Sequence, residues 1–141
     1  MNNFVERLSN VQWDKLDLPK STISTSSPSV SLYVKDGAVT MNRAAIELIP
    51  SIDEYNFISV LLSSDGKILG LKFEKEDSES VLQLKQPIHL GKPTGGRRFM
   101  SRALMVRLFG DSPTFMRRRY TAHKTADNIL AIDLESPTYE K

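Results

Sequence analysis

The chain is expected to fold as a mainly β, α+β domain assembled from two ββαββ units, and three observations predict this. Gly37-Ala-Val-Thr-Met-Asn-Arg-Ala recurs as Gly96-Arg-Arg-Phe-Met-Ser-Arg-Ala, with glycine, methionine, arginine and alanine at constant offsets. Downstream, Ile68-Leu-Gly-Leu-Lys-Phe-Glu lines up with Ile129-Leu-Ala-Ile-Asp-Leu-Glu after a two-residue insertion. Both halves also alternate apolar and polar residues between turn dipeptides, as half-buried strands do. The units span residues 30–75 and 88–135. Duplication would set Met41 over Met100 and Ile68 over Ile129, with all four side chains buried.

Taken in order, residues 3–18 place Phe4, Val5, Leu8 and Val11 at helical spacing, and Pro19 stops the pattern. This predicts an amphipathic helix within residues 1–20. A helix of that length is marginal alone in water, so its apolar face needs a docking partner. Residues 21–29 are rich in Ser and Thr and read as a linker or extended arm. Val30-Ser-Leu-Tyr-Val alternates as a strand, Asp36-Gly37 is a tight turn, and Ala38-Val-Thr-Met returns from it. Asn42 stands where an N-cap belongs, before a short helix that begins at Arg43 and ends by Pro50. Phe57-Ile-Ser-Val-Leu-Leu and Lys67-Ile-Leu-Gly-Leu-Lys-Phe flank a Ser63-Ser-Asp-Gly turn as a hairpin.

The polar stretch 76–87 is expected to connect the units, with Val81-Leu-Gln-Leu as strand-like content near its end. Ile88-His-Leu begins the second unit, and Lys92-Pro-Thr-Gly-Gly replaces the neat turn of the first. Ser101 repeats the N-cap, Arg102-Ala-Leu-Met-Val-Arg-Leu-Phe is the helix, and Gly110 ends it. Phe115-Met-Arg-Arg-Arg-Tyr-Thr-Ala and Ile129-Leu-Ala-Ile-Asp-Leu form the second hairpin, joined through residues 123–128. Residues 136–141 are expected to fray.

A strand, a glycine turn, a short strand, a capped helix and an apolar hairpin together resemble the swapped-hairpin fold of the AbrB, MazE and SpoVT group. The resemblance covers residues 30–74 well and 88–135 more loosely. It implies two interlocked swapped-hairpin-like units forming a small barrel, with basic residues near the turn and helix start meeting DNA. The glycine of that pattern falls on Gly37 and Gly96, and the basic residue after it on Arg97 but on Ala38 in the first copy. Asn42 and Ser101 stand in place of the group's proline. Tandem copies in one chain imply a built-in pseudo-dimer.

The net charge of +2 is unevenly spread. Residues 1–70 carry six bases and eight acids, whereas residues 71–141 carry thirteen bases and nine acids. Between residues 92 and 124, nine bases (Lys92, Arg97, Arg98, Arg102, Arg107, Arg117, Arg118, Arg119 and Lys124) face the single acid Asp111. A concentrated positive field attracts polyanions, and the planar fork of arginine suits phosphate. Phe99, Phe115 and Tyr120 add stacking surface. On a strand, Arg117 and Arg119 share one face and Arg118 and Tyr120 the other. Lys35 and Arg43 are the matching bases of the first copy.

The expected partner is double-stranded DNA, or another polyanion, bound by one continuous basic face. Such a protein would be a transcriptional regulator or antitoxin-like. A phage- or plasmid-encoded inhibitor whose basic face blocks an acidic protein surface is the alternative. The N-terminal helix is expected to dock on a partner subunit, giving a homodimer, or across its own barrel.

Other chemistries find little support. With no cysteine, disulfides, thiolate metal sites and cysteine nucleophiles are excluded. His89 and His123 are 34 residues apart without acids at metal-ligand spacing. Ser24–Ser27 has no nucleophile-elbow setting. Lys92-Pro-Thr-Gly-Gly-Arg-Arg lacks the residue order of a phosphate loop. Met41, Met100, Met105 and Met116 read as core filling. No enzyme, cofactor or metal site is expected. No apolar run reaches a membrane span, and residues 1–8 lack the apolar core of a signal peptide. The expected location is cytoplasmic, on the nucleoid in a bacterium.

Overall fold

A computed structural model describes residues 27–141. The expected N-terminal helix and most of the Ser/Thr linker lie outside these residues. Two five-stranded antiparallel sheets enclose the core. The first has the order β12-β9-β1-β2-β8, from Tyr139–Glu140, Arg117–Thr121, Ser29–Tyr33, Ala38–Met41 and Arg97–Met100. The second has the order β10-β11-β4-β3-β5, from His123–Ala126, Ile129–Asp133, Ile68–Glu74, Phe57–Leu62 and Leu82–Gln83. A separate hairpin joins β6 (Ile88–His89) to β7 (Lys92–Pro93). Helices α1 (Arg43–Ile46) and α2 (Arg102–Phe109) are short. Mainly β, α+β is therefore the observed class.

The small barrel expected from the resemblance is not present as a closed ladder; both sheets are open. At one join only Lys85 and Arg98 form a bridge pair, through reciprocal backbone bonds of 2.7 and 2.8 Å. At the other, Ala122 separates β9 from β10, and its N–H donates to Pro28 instead. Neither join is long enough to continue a sheet.

Strands from the two halves lie side by side. In the β2–β8 pair, Ala38 faces Met100 and Met41 faces Arg97. In the β4–β11 pair, Ile129 faces Lys72 and Ile68 faces Asp133. Exchanging Gly37 with Gly96 and Ile68 with Ile129 along the repeat maps each register onto itself. The glycine turns are staggered by one position. Left-handed Gly37 (φ +70°) lies against Arg102, and a Cβ there would meet Arg102 Cγ at 2.8 Å. Its counterpart is Gly95 (φ +86°), where a Cβ would meet Arg43 Cγ and Cδ at 3.0 Å. Each helix thus starts with an arginine lying over the other half's turn.

The core follows strand alternation. Val30, Leu32, Val39 and Met41 from one sheet meet Ile58, Leu69, Leu71, Phe73, Leu130 and Ile132 from the other. Phe99 and Tyr120 are fully buried among them. The expected burial of the repeat residues holds for Met41 alone. Met100 (45% exposed) and Ile68 (48%) point outward, as does Met116, while Ile129 is half-buried. An even-numbered offset from a core residue keeps a strand residue inside and an odd one turns it out. Met100 is one residue from Phe99, and Ile68 one from Leu69.

Two local expectations also change, and a third is met. The tail forms β12 against β9, with Thr138 N–H donating to the Arg119 carbonyl at 2.7 Å and Lys141 N–H to that of Arg117 at 2.9 Å. The strand-like content expected at Val81-Leu-Gln-Leu in the 76–87 connector is β5, which pairs with β3. Residues 123–126, expected as a joining segment, are strand β10.

Both caps are as the residues foretell. Ser101 Oγ accepts from Leu104 N–H at 3.1 Å. Asn42 Oδ1 accepts from Ala45 N–H at 2.9 Å and from Ser29 N–H at 3.0 Å, and its Nδ2 donates to the Ser27 carbonyl. The side chain therefore caps α1 and fastens the start of β1. Asn42→Ala should cost about 1–2 kcal/mol in chemical denaturation, with most of the loss restored by Asn42→Asp. An unchanged midpoint would show that water replaces all three bonds at no cost.

Candidate nucleic-acid interface

The outward face of the first sheet is built by the same alternation that fills the core. With Val30 and Leu32 inward, β1 turns Ser29, Ser31 and Tyr33 to the opposite face, where Ser31 is itself buried; with Tyr120 inward, β9 turns Arg117, Arg119 and Thr121 out. Cross-strand register then lines up Tyr139, Arg119, Ser31, Thr40 and Arg98 as one row over five strands. The Lys85 bridge adds a sixth position beside Arg98. Adjacent strands are about 4.8 Å apart, so Arg119 and Arg98 stand roughly 14 Å from each other at their backbones.

A groove of about 850 Å³ runs over this face. Its walls hold Ser29, Ser31, Thr40, Thr121 and Thr138 as hydroxyl donors, Tyr33 and Tyr139 as rings, and Arg43 and Arg119 as cations. Arg117 packs its guanidinium 5.5 Å from the Tyr33 ring centre and 4.8 Å from that of Tyr139, and Arg119 lies 5.3 Å from Tyr139. Arg117 also donates to the Tyr33 hydroxyl at 3.2 Å. That bond raises the Arg117 pKa and outweighs the opposing effect of burial, so the charge is permanent. Its Nε is buried without a protein partner. Among the described residues, Arg98, Arg117, Arg119 and Lys85 have no carboxylate within ion-pair distance.

The remaining bases are dispersed, and the single continuous face expected from residues 97–119 is not formed. Arg97 is buried (7% exposed) beside Phe99 and donates to Asp53 at 3.0 Å and to the Gly96 carbonyl. Arg118 faces inward at the sheet end, 3.7 Å from the Phe115 ring centre and 2.6 Å from Glu140. Desolvation lowers its pKa, but the Glu140 bond and the Tyr120 hydroxyl together leave it raised. Both arginines are therefore held by the fold and are unavailable as free phosphate ligands. Arg43 pairs with Glu47 at 2.9 Å and Lys124 with Asp127 at 3.4 Å. Arg102 and Lys35 share a second groove with Val34, Met105, Val106 and Met116. Arg107 is exposed on α2, and Lys92 on the β6–β7 hairpin.

Reasoning on sequence missed Tyr33, Tyr139, Lys85 and the hydroxyl floor. Tyr33 had a readable signal, because it alternates with Leu32 next to the glycine turn. Tyr139 had none, since its position depends on a strand pairing made over twenty residues of chain.

Among the described residues, no three His, Asp or Glu side chains gather as a metal site, and no helix is long and apolar enough to cross a membrane. Comparison with protein-family models, with curated proteins and with solved structures finds no match.

Proposed function

We propose that the chain binds double-stranded DNA through the outward face of the β12-β9-β1-β2-β8 sheet, as a transcriptional regulator or antitoxin-like protein. The observation that carries this reading is the cross-strand row in which Arg119 and Arg98 flank Ser31 and Thr40, with no carboxylate of the described residues against either arginine. Their backbone separation of roughly 14 Å is close to the width of a B-DNA major groove, about 12 Å, so their side chains reach phosphates on both sides of it. Arg117 and Arg119 are stiffened by Tyr139, which lowers the entropy lost on forming directed phosphate bonds. The two-fold register of β2–β8 and β4–β11 supports a tandem swapped-hairpin arrangement, in which one chain acts as its own pseudo-dimer.

Fluorescence anisotropy with a mixed-sequence duplex, titrated from low to high salt, tests this. Log affinity should fall against log salt with a slope of about −3 or steeper, roughly 0.9 for each phosphate neutralised. Micromolar protein that shows no salt-dependent association would refute the reading.

One observation favours an acidic protein surface instead. The second groove joins Lys35 and Arg102 to exposed Val106 and Met116, a mixed apolar and basic surface of the kind proteins use on one another. In that case Arg102→Ala would abolish partner binding, and the Arg98 and Arg119 substitutions would leave it intact.

A further inference from the structure

The β6–β7 hairpin stands at the rim of the basic groove, where its base residues Pro87 and Thr94 line the wall. Ile88 pairs with Pro93 and His89 with Lys92, leaving Leu90-Gly91 as a two-residue turn. Both turn residues have positive φ, 52° at Leu90 and 79° at Gly91. Such turns are ordinarily made by Asn-Gly or Gly-Gly, because a branched side chain in the left-handed region is strained. Here the strained position holds a leucine that is 90% exposed, next to an isoleucine that is 68% exposed. Among the described residues, none covers either side chain.

The surroundings indicate the partner. From Val81 to Gly110 the chain contains no acid; Lys85 precedes the hairpin and Lys92 lies within it, next to the turn. An apolar tip between cations, continuous with an arginine-lined face, matches a nucleic-acid partner better than a membrane or an acidic protein. Proteins that bend DNA insert Leu, Ile or Pro side chains from the minor groove into a base step while cations hold the flanking phosphates.

Resting on the DNA reading above, we infer that the β6–β7 hairpin is a wedge. Leu90, backed by Ile88, enters the minor groove beside the phosphates held by Arg98 and Lys85, and partly unstacks one base step. The backbone strain at Leu90 is retained because an asparagine there would ease the turn but present a polar tip.

Leu90→Asn tests this without a folding penalty, since Asn-Gly suits the turn. Duplexes carrying a fluorescent aminopurine report unstacking as a rise in emission. Wild-type protein should raise the emission, while Leu90→Asn should give no rise and bind about tenfold more weakly with the same salt slope. Equal emission and affinity in the variant would overturn the wedge and leave the basic face in place. Weaker binding by the variant with no wild-type rise would also overturn it, by placing the tip on an unperturbed groove or on a protein. Absence of salt-dependent binding by the wild type would instead bring down the DNA reading on which the wedge rests.

Discussion

Alanine at Gly96 is expected to destabilise the fold by about 3 kcal/mol, the upper part of the range for adding a methyl group to a packed site. Gly96 is buried at the entry to β8, and a Cβ there would lie well inside van der Waals contact distance of the Met41 carbonyl oxygen. That oxygen belongs to a backbone held on both sides, with Met41 opposite Val30 and opposite Arg97. A flexible side chain would swing away; a strand between two neighbours cannot. The melting temperature should fall by roughly 10 °C. Gly66 offers the contrast, because a Cβ there meets nothing within 4 Å and only its φ of +74° opposes alanine, at about 1 kcal/mol. Thermal and urea unfolding of both variants would show the difference. If Gly96→Ala melts with the wild type, β2 and β8 do not pair in this register.

Joint replacement of Arg98, Arg117 and Arg119 by alanine should weaken DNA binding by about a hundredfold at low salt and flatten the salt slope by two to three units. All three lie on the outward face of the first sheet and lack carboxylate partners among the described residues. A triple change at Arg97, Arg98 and Arg102 looks equivalent in sequence, yet it should flatten the slope by only about one unit, through Arg98. Arg97 is enclosed beside Asp53, and Arg102 lies over Gly37 on the second groove. Its main effect should be on stability, because Asp53 and the Gly96 carbonyl lose their shared donor. Anisotropy titrations on the two triple variants, each checked by circular dichroism, distinguish these outcomes. Equal slopes would place the DNA along α2 rather than over the sheet.

The contrast between Arg97 and Arg98 shows what the sequence discloses and what it withholds. Short-range signals were legible: Asn42 and Ser101 as caps, α2 from Arg102 to Phe109, β2 from Ala38 to Met41. Each is decided by residues within one turn or strand. The dispersal of the bases was legible only in part. Alternation separates Arg117 and Arg119 from Arg118 and Tyr120 and by the same rule separates Arg98 from Arg97 and Phe99. Once Phe99 is assigned to the core, Arg97 must follow it and find an acid. The acid is Asp53, forty-four residues away, and no local pattern points to it. The same holds for β12, whose two-residue ladder exists because β9 presents an open edge to it. The unclosed barrel was beyond reach for a related reason, since it turns on a single bridge between Lys85 and Arg98.

The pairing of β1 with β9 has a consequence for how the chain is made. Ser29 lies opposite Thr121 and Tyr33 opposite Arg117, so β1 leaves the ribosome well before β9, the strand that covers its edge. The same delay applies to β4, whose outer edge is covered only when Ile129–Asp133 emerges. At about 5–20 residues per second, the interval between those strands lasts several seconds. During it, Val30, Leu32, Leu69 and Leu71 lack part of their eventual cover, and two strand edges stand open to any neighbouring nascent chain. Contacts so distant along the sequence also slow refolding, because each must overcome the entropy of a long loop before any burial compensates it. Synthesis on crowded polysomes is thus the stage at which this fold is most exposed to aggregation.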